Sequence, residues 1–120
     1  MSAQTQTRFD YSLLKRSFES WDLETLSALY HEDLEHIEMD DVSQPAEPRI
    51  RTKAELMQVL ERGCQAGVRI GVENPVLGDD RLACTLSCNF DDGRRVVANS
   101  IMDLREGRII RQFDVQARDV

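Results

Sequence analysis

Both histidines of the chain and a group of carboxylates fall within one short segment, residues 31–41. Imidazole and carboxylate side chains are frequent proton carriers in enzymes. A zinc-protease helix needs two histidines four residues apart, whereas His31 and His36 are five apart, which excludes that motif. Alternate residues of a strand share a face, so a strand here would place His36, Glu38 and Asp40 on one side. The segment predicts either a carboxylate–imidazole pair lining a pocket or a solvated acidic edge.

Two further acids, Asp103 and Asp114, interrupt otherwise apolar strand patterns. A carboxyl group in an apolar cavity loses hydration, which favours its neutral form and suits it to proton transfer. Both faces of the predicted strand that contains Asp114 carry apolar residues. The alternation of apolar and polar residues therefore does not decide which way either acid points. Asp114 is the stronger candidate for a pocket.

The three cysteines, Cys64, Cys84 and Cys88, have no spacing suited to a metal site. On a strand, Cys84 and Cys88 would lie about 13 Å apart at ~3.3 Å per residue, too far for one zinc ion or a disulfide. They are predicted to be small core residues. The sequence also carries no glycine-rich phosphate loop and no Gly-x-Ser-x-Gly turn. We therefore predict no metal and no cofactor.

Length and charge limit the class of protein further. The chain has 120 residues, 41% of them apolar, which predicts one folded domain rather than a disordered segment. No apolar run is long enough for a membrane span. The net charge of −7 argues against nucleic acid as a partner. The odd number of cysteines and a polar N-terminus without an export signal predict a cytoplasmic protein.

Hydrophobic spacing predicts the elements that must position these residues. Residues 1–7 are predicted to be a flexible tail and residues 8–120 a single domain. Apolar residues at three- and four-residue steps from Phe9 to Trp21 predict a helix, and Asp22 can cap a second one. A strand at 34–40 and a loop at 42–49 follow.

A capping box, Thr52 with Glu55, opens a third helix that ends near Gly67. Turn signals then separate four antiparallel strands. These are expected at 68–77, 81–90, 94–105 and 108–117. Three helices in the first half, packed on one face of a mostly antiparallel sheet, make an α+β domain.

This order of elements resembles the nuclear transport factor 2-like superfamily, which includes ketosteroid isomerases and SnoaL-like polyketide cyclases. The resemblance covers about residues 9–118. It implies a cone-shaped fold, in which a curved sheet wraps around the long N-terminal helix and leaves an apolar cavity, and a homodimer formed through the sheet. The residues that carry it are the segment 22–33 (DLETLSALYHED), Glu47-Pro48-Arg49, the capped helix and the hairpin 105–110 (REGRII).

The resemblance also implies catalytic positions. The general-base aspartate of ketosteroid isomerases falls on Glu38. The base aspartate of SnoaL-like cyclases is best matched by Asp114, with His36 or Gln112 as polar neighbours. The reaction implied is proton transfer next to a carbonyl group.

The oxyanion donors of ketosteroid isomerases are replaced here. Their tyrosine falls on Leu14, with Tyr11 one turn earlier as a substitute, and their protonated aspartate falls on Ile101 or Met102. Because oxyanion stabilisation is usually the largest catalytic term, steroid isomerisation itself is not expected. The cavity would hold a small apolar or polyketide-like ligand, and its predicted lining also includes Phe18, Trp21, Met57 and Phe90.

Three hypotheses stay open. The protein is an enzyme of the cyclase or isomerase type that uses one carboxylate base. Alternatively, it binds a small apolar ligand without turnover. In the third hypothesis it is a dimeric interaction domain that uses the exposed sheet face around Thr85, Ser87 and Asn89.

Overall fold

The computed structural model describes residues 8–119, so the predicted tail at 1–7 and Val120 lie outside the described residues. Within the described residues three helices and six strands follow one another along the chain. They are α1 (Tyr11–Ser20), α2 (Leu23–Leu29), β1 (Tyr30–Met39), β2 (Arg49–Arg51), α3 (Lys53–Gln65), β3 (Arg69–Leu77), β4 (Arg81–Asn89), β5 (Arg95–Arg105) and β6 (Arg108–Arg118).

The six strands form one open sheet in the order β2-β1-β6-β5-β4-β3. The first long strand, β1, pairs in parallel with the last, β6, and every other pairing among these strands is antiparallel. The predicted α+β class, with a mostly antiparallel sheet and the last four strands as a meander, is confirmed.

The helix starts follow the capping signals in the sequence. The Asp22 carboxylate accepts a hydrogen bond from the backbone N–H of Thr25, as predicted for the N-cap of α2. At α3, Thr52 and Glu55 form both halves of the capping box. These bonds satisfy N–H groups that have no partner inside a helix.

Two strand boundaries differ from the expectation. β1 starts at Tyr30 rather than near 34, because Tyr30 already has an extended backbone and is buried. The segment predicted to be a loop up to Arg49 ends in the short strand β2. Three residues are too few for a periodic signal, and β2 exists because it pairs with β1.

The apolar core lies between the helices and the inner face of the sheet. Leu14 and Phe18 of α1 and Leu26 of α2 are almost fully buried there. They pack against inward-facing residues of the meander, among them Leu82, Cys84, Met102 and Ile109.

Candidate functional site

Strand register brings Glu38, Asp114 and His36 together at the inner face of the sheet, whereas Asp103 pairs with Arg81 outside this group. In the parallel pair, His36 lies beside Gln112 and Glu38 beside Asp114. Ser100 of β5 lies opposite Asp114 on its other side. The prediction of a solvated acidic edge is wrong for His36, which is 2% exposed, and for Glu38, which is 9% exposed.

A bulge in β6 turns Asp114 inwards. Leu104 of β5 pairs with Ile109, but Asp103 pairs with Arg111, so Ile110 is an extra residue in β6. An extra residue exchanges the two faces of a strand beyond it. Ile109 therefore points into the core before the bulge, and Asp114 does so after it.

Asp114 is the centre of a buried hydrogen-bond network. Its Oδ2 lies 2.8 Å from His36 Nε2, and its Oδ1 accepts a hydrogen bond from the Ser100 hydroxyl. The side-chain amide of Gln112 donates to both oxygens at 3.1 Å. Three side chains thus converge on one acid, and an ionised carboxylate at this place can accept a hydrogen bond from each of them.

The Asp114 contact fixes the orientation of the His36 ring. Nε2 donates to Asp114, so in the neutral ring Nδ1 carries the lone pair. The nearest donor to Nδ1 is Arg51 Nη1, at 3.4 Å. That distance is long for a hydrogen bond, so Nδ1 is the weakly engaged basic atom of this dyad.

Glu38 anchors two arginines of β2. Arg49 Nη1 and Arg51 Nη1 each donate to its Oε1 at 2.9 Å. Arg49 also lies 3.6 Å from Asp40 Oδ2. The backbone N–H of Ser43 donates a hydrogen bond to Asp40, and this bond is the main cause that holds the pKa of the Asp40 carboxyl below its ordinary value. The Glu38 carboxylate therefore holds the cations of the site in place.

Tyr30 closes the network on the core side. Its hydroxyl donates to Gln112 Oε1 at 2.7 Å. Burial, and secondarily the charge of Asp114, raises the pKa of the Tyr30 phenol well above its ordinary value. The phenol therefore stays protonated and keeps donating at neutral pH.

His36, Glu38 and Asp114 also lie close enough to suggest a metal site, with ligand atoms within 4.8 Å of one another. Arg51 contacts two of the three, at 2.9 Å from Glu38 and 3.4 Å from His36. Its guanidinium supplies the positive charge that a metal would bring.

The predicted ligand-binding residues divide into two groups. Met102 lies opposite Gln112 in the β5–β6 pair, and Phe18 belongs to the same core as Met102. Met57 and Tyr11 are partly buried against that core, and burial is the main cause that raises the pKa of Tyr11.

Trp21 and Phe90 lie elsewhere. Trp21 Nε1 donates to the carbonyl of Val68 at 2.6 Å, and its ring would touch a Cβ at Gly63. Trp21 therefore joins the end of α1 to the end of α3. Phe90 follows β4 at the turn to β5, where the Arg94 guanidinium lies 5.6 Å from its ring centroid.

Sequence reasoning did not assign roles to Tyr30, Ser100 and Arg49. The alternation of Ala98, Ser100 and Met102 could have indicated Ser100 as a buried residue. Ala98 and Met102 are apolar, and all three lie on the buried face of β5.

Arg49 gave no signal without the pairing of β2. The resemblance implies a glycine where Arg51 stands, which leaves open either a cation at the cavity mouth or a change in the turn, and the pairing of β2 with β1 places Arg51 opposite His36.

Comparison with known proteins places the fold. The sequence matches no family model, and no curated protein is significantly similar to it. A candidate ketosteroid isomerase from Kribbella flavida has a TM-score of 0.72 at 16% identity, covering 92% of this chain and 77% of that one. IdmH, a candidate polyketide cyclase from Streptomyces antibioticus, has a TM-score of 0.68 at 20% identity, covering 88% of this chain and 87% of its own.

An LEH-like epoxide hydrolase from M. tuberculosis is similar at a TM-score of 0.64 and 15% identity, covering 88% of this chain and 77% of that one. Other similar structures are NTF2-like proteins of unknown function. The chain therefore has the cone-shaped NTF2-like α+β fold that the sequence led us to expect.

Among residues 8–119, no helix has the length and apolar character needed to cross a membrane.

Proposed function

We propose that this protein is a small-molecule enzyme of the cyclase or isomerase type, which removes a proton from the carbon next to a carbonyl group. The observation that carries the proposal is the buried pair of His36 and Asp114, joined at 2.8 Å. Its substrate would be a small apolar or polyketide-like ligand in the predicted cavity, and similarity of fold to IdmH and to the candidate isomerase agrees with that class.

In this proposal the base is the pair rather than a lone carboxylate, because Asp114 is already bonded to His36, Ser100 and Gln112. In the proposed step the C–H bond breaks, the proton moves to His36 Nδ1, and the electron pair moves to the carbonyl oxygen. Asp114, fixed by Ser100 and Gln112, orients the imidazole and stabilises the imidazolium that forms.

Three carboxylates and two guanidinium groups surround His36. The carboxylates at the site are Glu38, Asp40 and Asp114, and the guanidinium groups are Arg49 and Arg51. With ionised acids the cluster therefore carries one negative charge when His36 is neutral, and none when it is protonated. Because the proton comes from the substrate, the negative charge moves from the cluster to the carbonyl oxygen, and the total charge of cluster and substrate stays the same.

A non-catalytic binder is the second candidate, and the closed network favours it. Every buried side-chain nitrogen or oxygen in the described part of the chain has a hydrogen-bond partner. Such a network can rigidify the wall of a binding cavity without taking part in any reaction.

The exposed sheet face supports the predicted homodimer. Val97, Ile101 and Val115 point away from the core and are 38%, 45% and 50% exposed. We propose that this outer sheet face (Thr85, Val97, Asn99, Ile101 and Val115) is covered by a second copy.

Three free cysteines agree with the reducing cytoplasm as the compartment.

Proton exchange tests the catalytic proposal without knowledge of the natural substrate. Small ketones and 1,3-diketones deuterated at the α-carbon are incubated with the protein, and loss of deuterium is followed by NMR. We expect exchange above background that His36→Gln and Asp114→Asn abolish. Asp103→Asn is the matched control, because Asp103 pairs with Arg81 outside this cluster. Thermal stabilisation by the same compounds without exchange would favour the binder.

A further inference from the structure

We infer that Arg51 is a catalytic residue of this site, which binds the enolate oxygens of a substrate whose enolate has two coplanar oxygens, as in a 1,3-dicarbonyl compound. The inference rests on the proposed function and adds to it the group that takes the negative charge.

The position of Arg51 is set by two strands. It lies opposite His36 in the β1–β2 pair. Its Nη1 is 3.4 Å from His36 Nδ1 and 2.9 Å from Glu38 Oε1. A carbonyl group that places its α-carbon at Nδ1 therefore has its oxygen near this guanidinium.

Arg51 is held rigidly enough for such a role. Its side chain is 15% exposed, compared with 39% for Arg49 on the same strand. The ion pair with Glu38 fixes the guanidinium before any ligand binds. Donors fixed before the reaction stabilise developing charge without the cost of reorganisation.

The chemistry of guanidinium selects the ligand. It has five N–H donors in one plane, arranged as a fork, and stays charged at all relevant pH values. Both described contacts use Nη1. A fork matches two oxygens better than one, and a 1,3-dicarbonyl enolate with at least one carbonyl outside a ring can place its two oxygens side by side in one plane.

The complete step balances in charge and atoms. The C–H bond between the two carbonyl groups breaks, and the proton moves to His36 Nδ1. The electron pair spreads over both carbonyl oxygens, which accept hydrogen bonds from Arg51. Asp114 keeps its contact with the imidazolium of His36, and Glu38 keeps its ion pair with the guanidinium of Arg51.

Binding of a stable enolate tests this role apart from turnover. 2-Acetyldimedone is an enolate at neutral pH whose acetyl oxygen and ring oxygen can lie side by side, and its enol methyl ether has a similar shape without the charge. Isothermal titration calorimetry of the full-length protein at pH 7.5 measures both. We expect Arg51→Gln to weaken binding of the 2-acetyldimedone enolate at least tenfold and Arg51→Lys to weaken it less. Binding of the ether should change little in either variant.

Arg81→Gln is the matched control, because Arg81 lies outside the site with a side chain 64% exposed. It should bind 2-acetyldimedone like the wild type. Equal binding by Arg51→Gln, or no 2-acetyldimedone binding by the wild type, would overturn the inference. Deuterium exchange that depends on His36 but not on Arg51 would remove the role of Arg51 and leave the proposed proton transfer intact.

Discussion

Tyr30 and Gln112 are 82 positions apart in sequence, and the Tyr30 hydroxyl donates to Gln112 Oε1 at 2.7 Å. This bond fixes which end of the Gln112 amide faces Asp114, because only the NH₂ group can donate to a carboxylate. The residue that begins β1 therefore helps to orient the acid on β6 through one intermediate side chain.

Tyr30→Phe should lower the free energy of unfolding by about 1–3 kcal/mol, because Gln112 Oε1 would lose its partner inside the core. Urea denaturation measures the change. Tyr11→Phe, at a partly buried position, is the control and should cost less. Equal losses in the two variants would contradict a special role for the Tyr30 hydroxyl.

Asp114→Asn should destabilise the protein by about 1–3 kcal/mol as well as abolish exchange. An amide cannot accept hydrogen bonds on both sides, so at least one of the buried donors around it would be left unsatisfied. Asp103→Asn changes the same group outside the network and should cost under about 0.5 kcal/mol, as surface substitutions usually do. Thermal and urea denaturation of the two variants side by side check this, and similar losses would argue against a buried network at Asp114.

The buried thiol of Cys84 should make the folded protein less stable at alkaline pH. Burial raises the pKa of its thiol from 9.0 to about 11, with the charge of Asp114 as the second cause. Below pH 9 both folded and unfolded chains hold the proton; between pH 9 and 11 only the folded chain holds it, so stability falls as pH rises. The slope from this group approaches about 1.4 kcal/mol per pH unit.

Cys84→Ala should flatten the alkaline loss of stability, measured by denaturation from pH 8 to pH 10.5. Cys64→Ala, on α3, is the matched control and should keep the wild-type slope. Only slopes are compared, because both substitutions remove packed atoms. A Cys84→Ala protein with the wild-type slope would show that other groups cause the loss.

Ile101→Lys should convert the proposed dimer into a monomer, because it places a charge in the middle of the outer sheet face. Light scattering coupled to gel filtration gives the mass directly. Val42→Lys, at a loop position 62% exposed, is the control and should remain dimeric. A wild-type protein that is already monomeric would exclude the dimer.

Local signals in the sequence were sufficient for most of the fold. The capping residues Asp22 and Thr52 and the turn signals act within a few residues, so the helices and the four-strand meander could be predicted. The strand β2 could not, since three residues carry no period and its partner lies elsewhere in the chain.

The site was predictable only in its residue types. The alternation of apolar and polar residues could not show which face of the sheet Asp114 lies on. The extra residue Ile110 exchanges the two faces of β6 partway along the strand. That bulge depends on pairing with β5, not on any residue pattern within β6. The role of Arg51 depends on register in the same way, since only the β1–β2 pair places it beside His36.

The parallel pairing of β1 with β6 also determines when the site can exist during folding. His36 and Asp114 are 78 positions apart, and contacts between such distant residues form slowly because a long loop must close first. On the ribosome, β6 emerges after the other described elements. Until β6 docks, His36 lacks its acceptor, so the proposed chemistry cannot begin before β6 has been synthesised and has paired with β1.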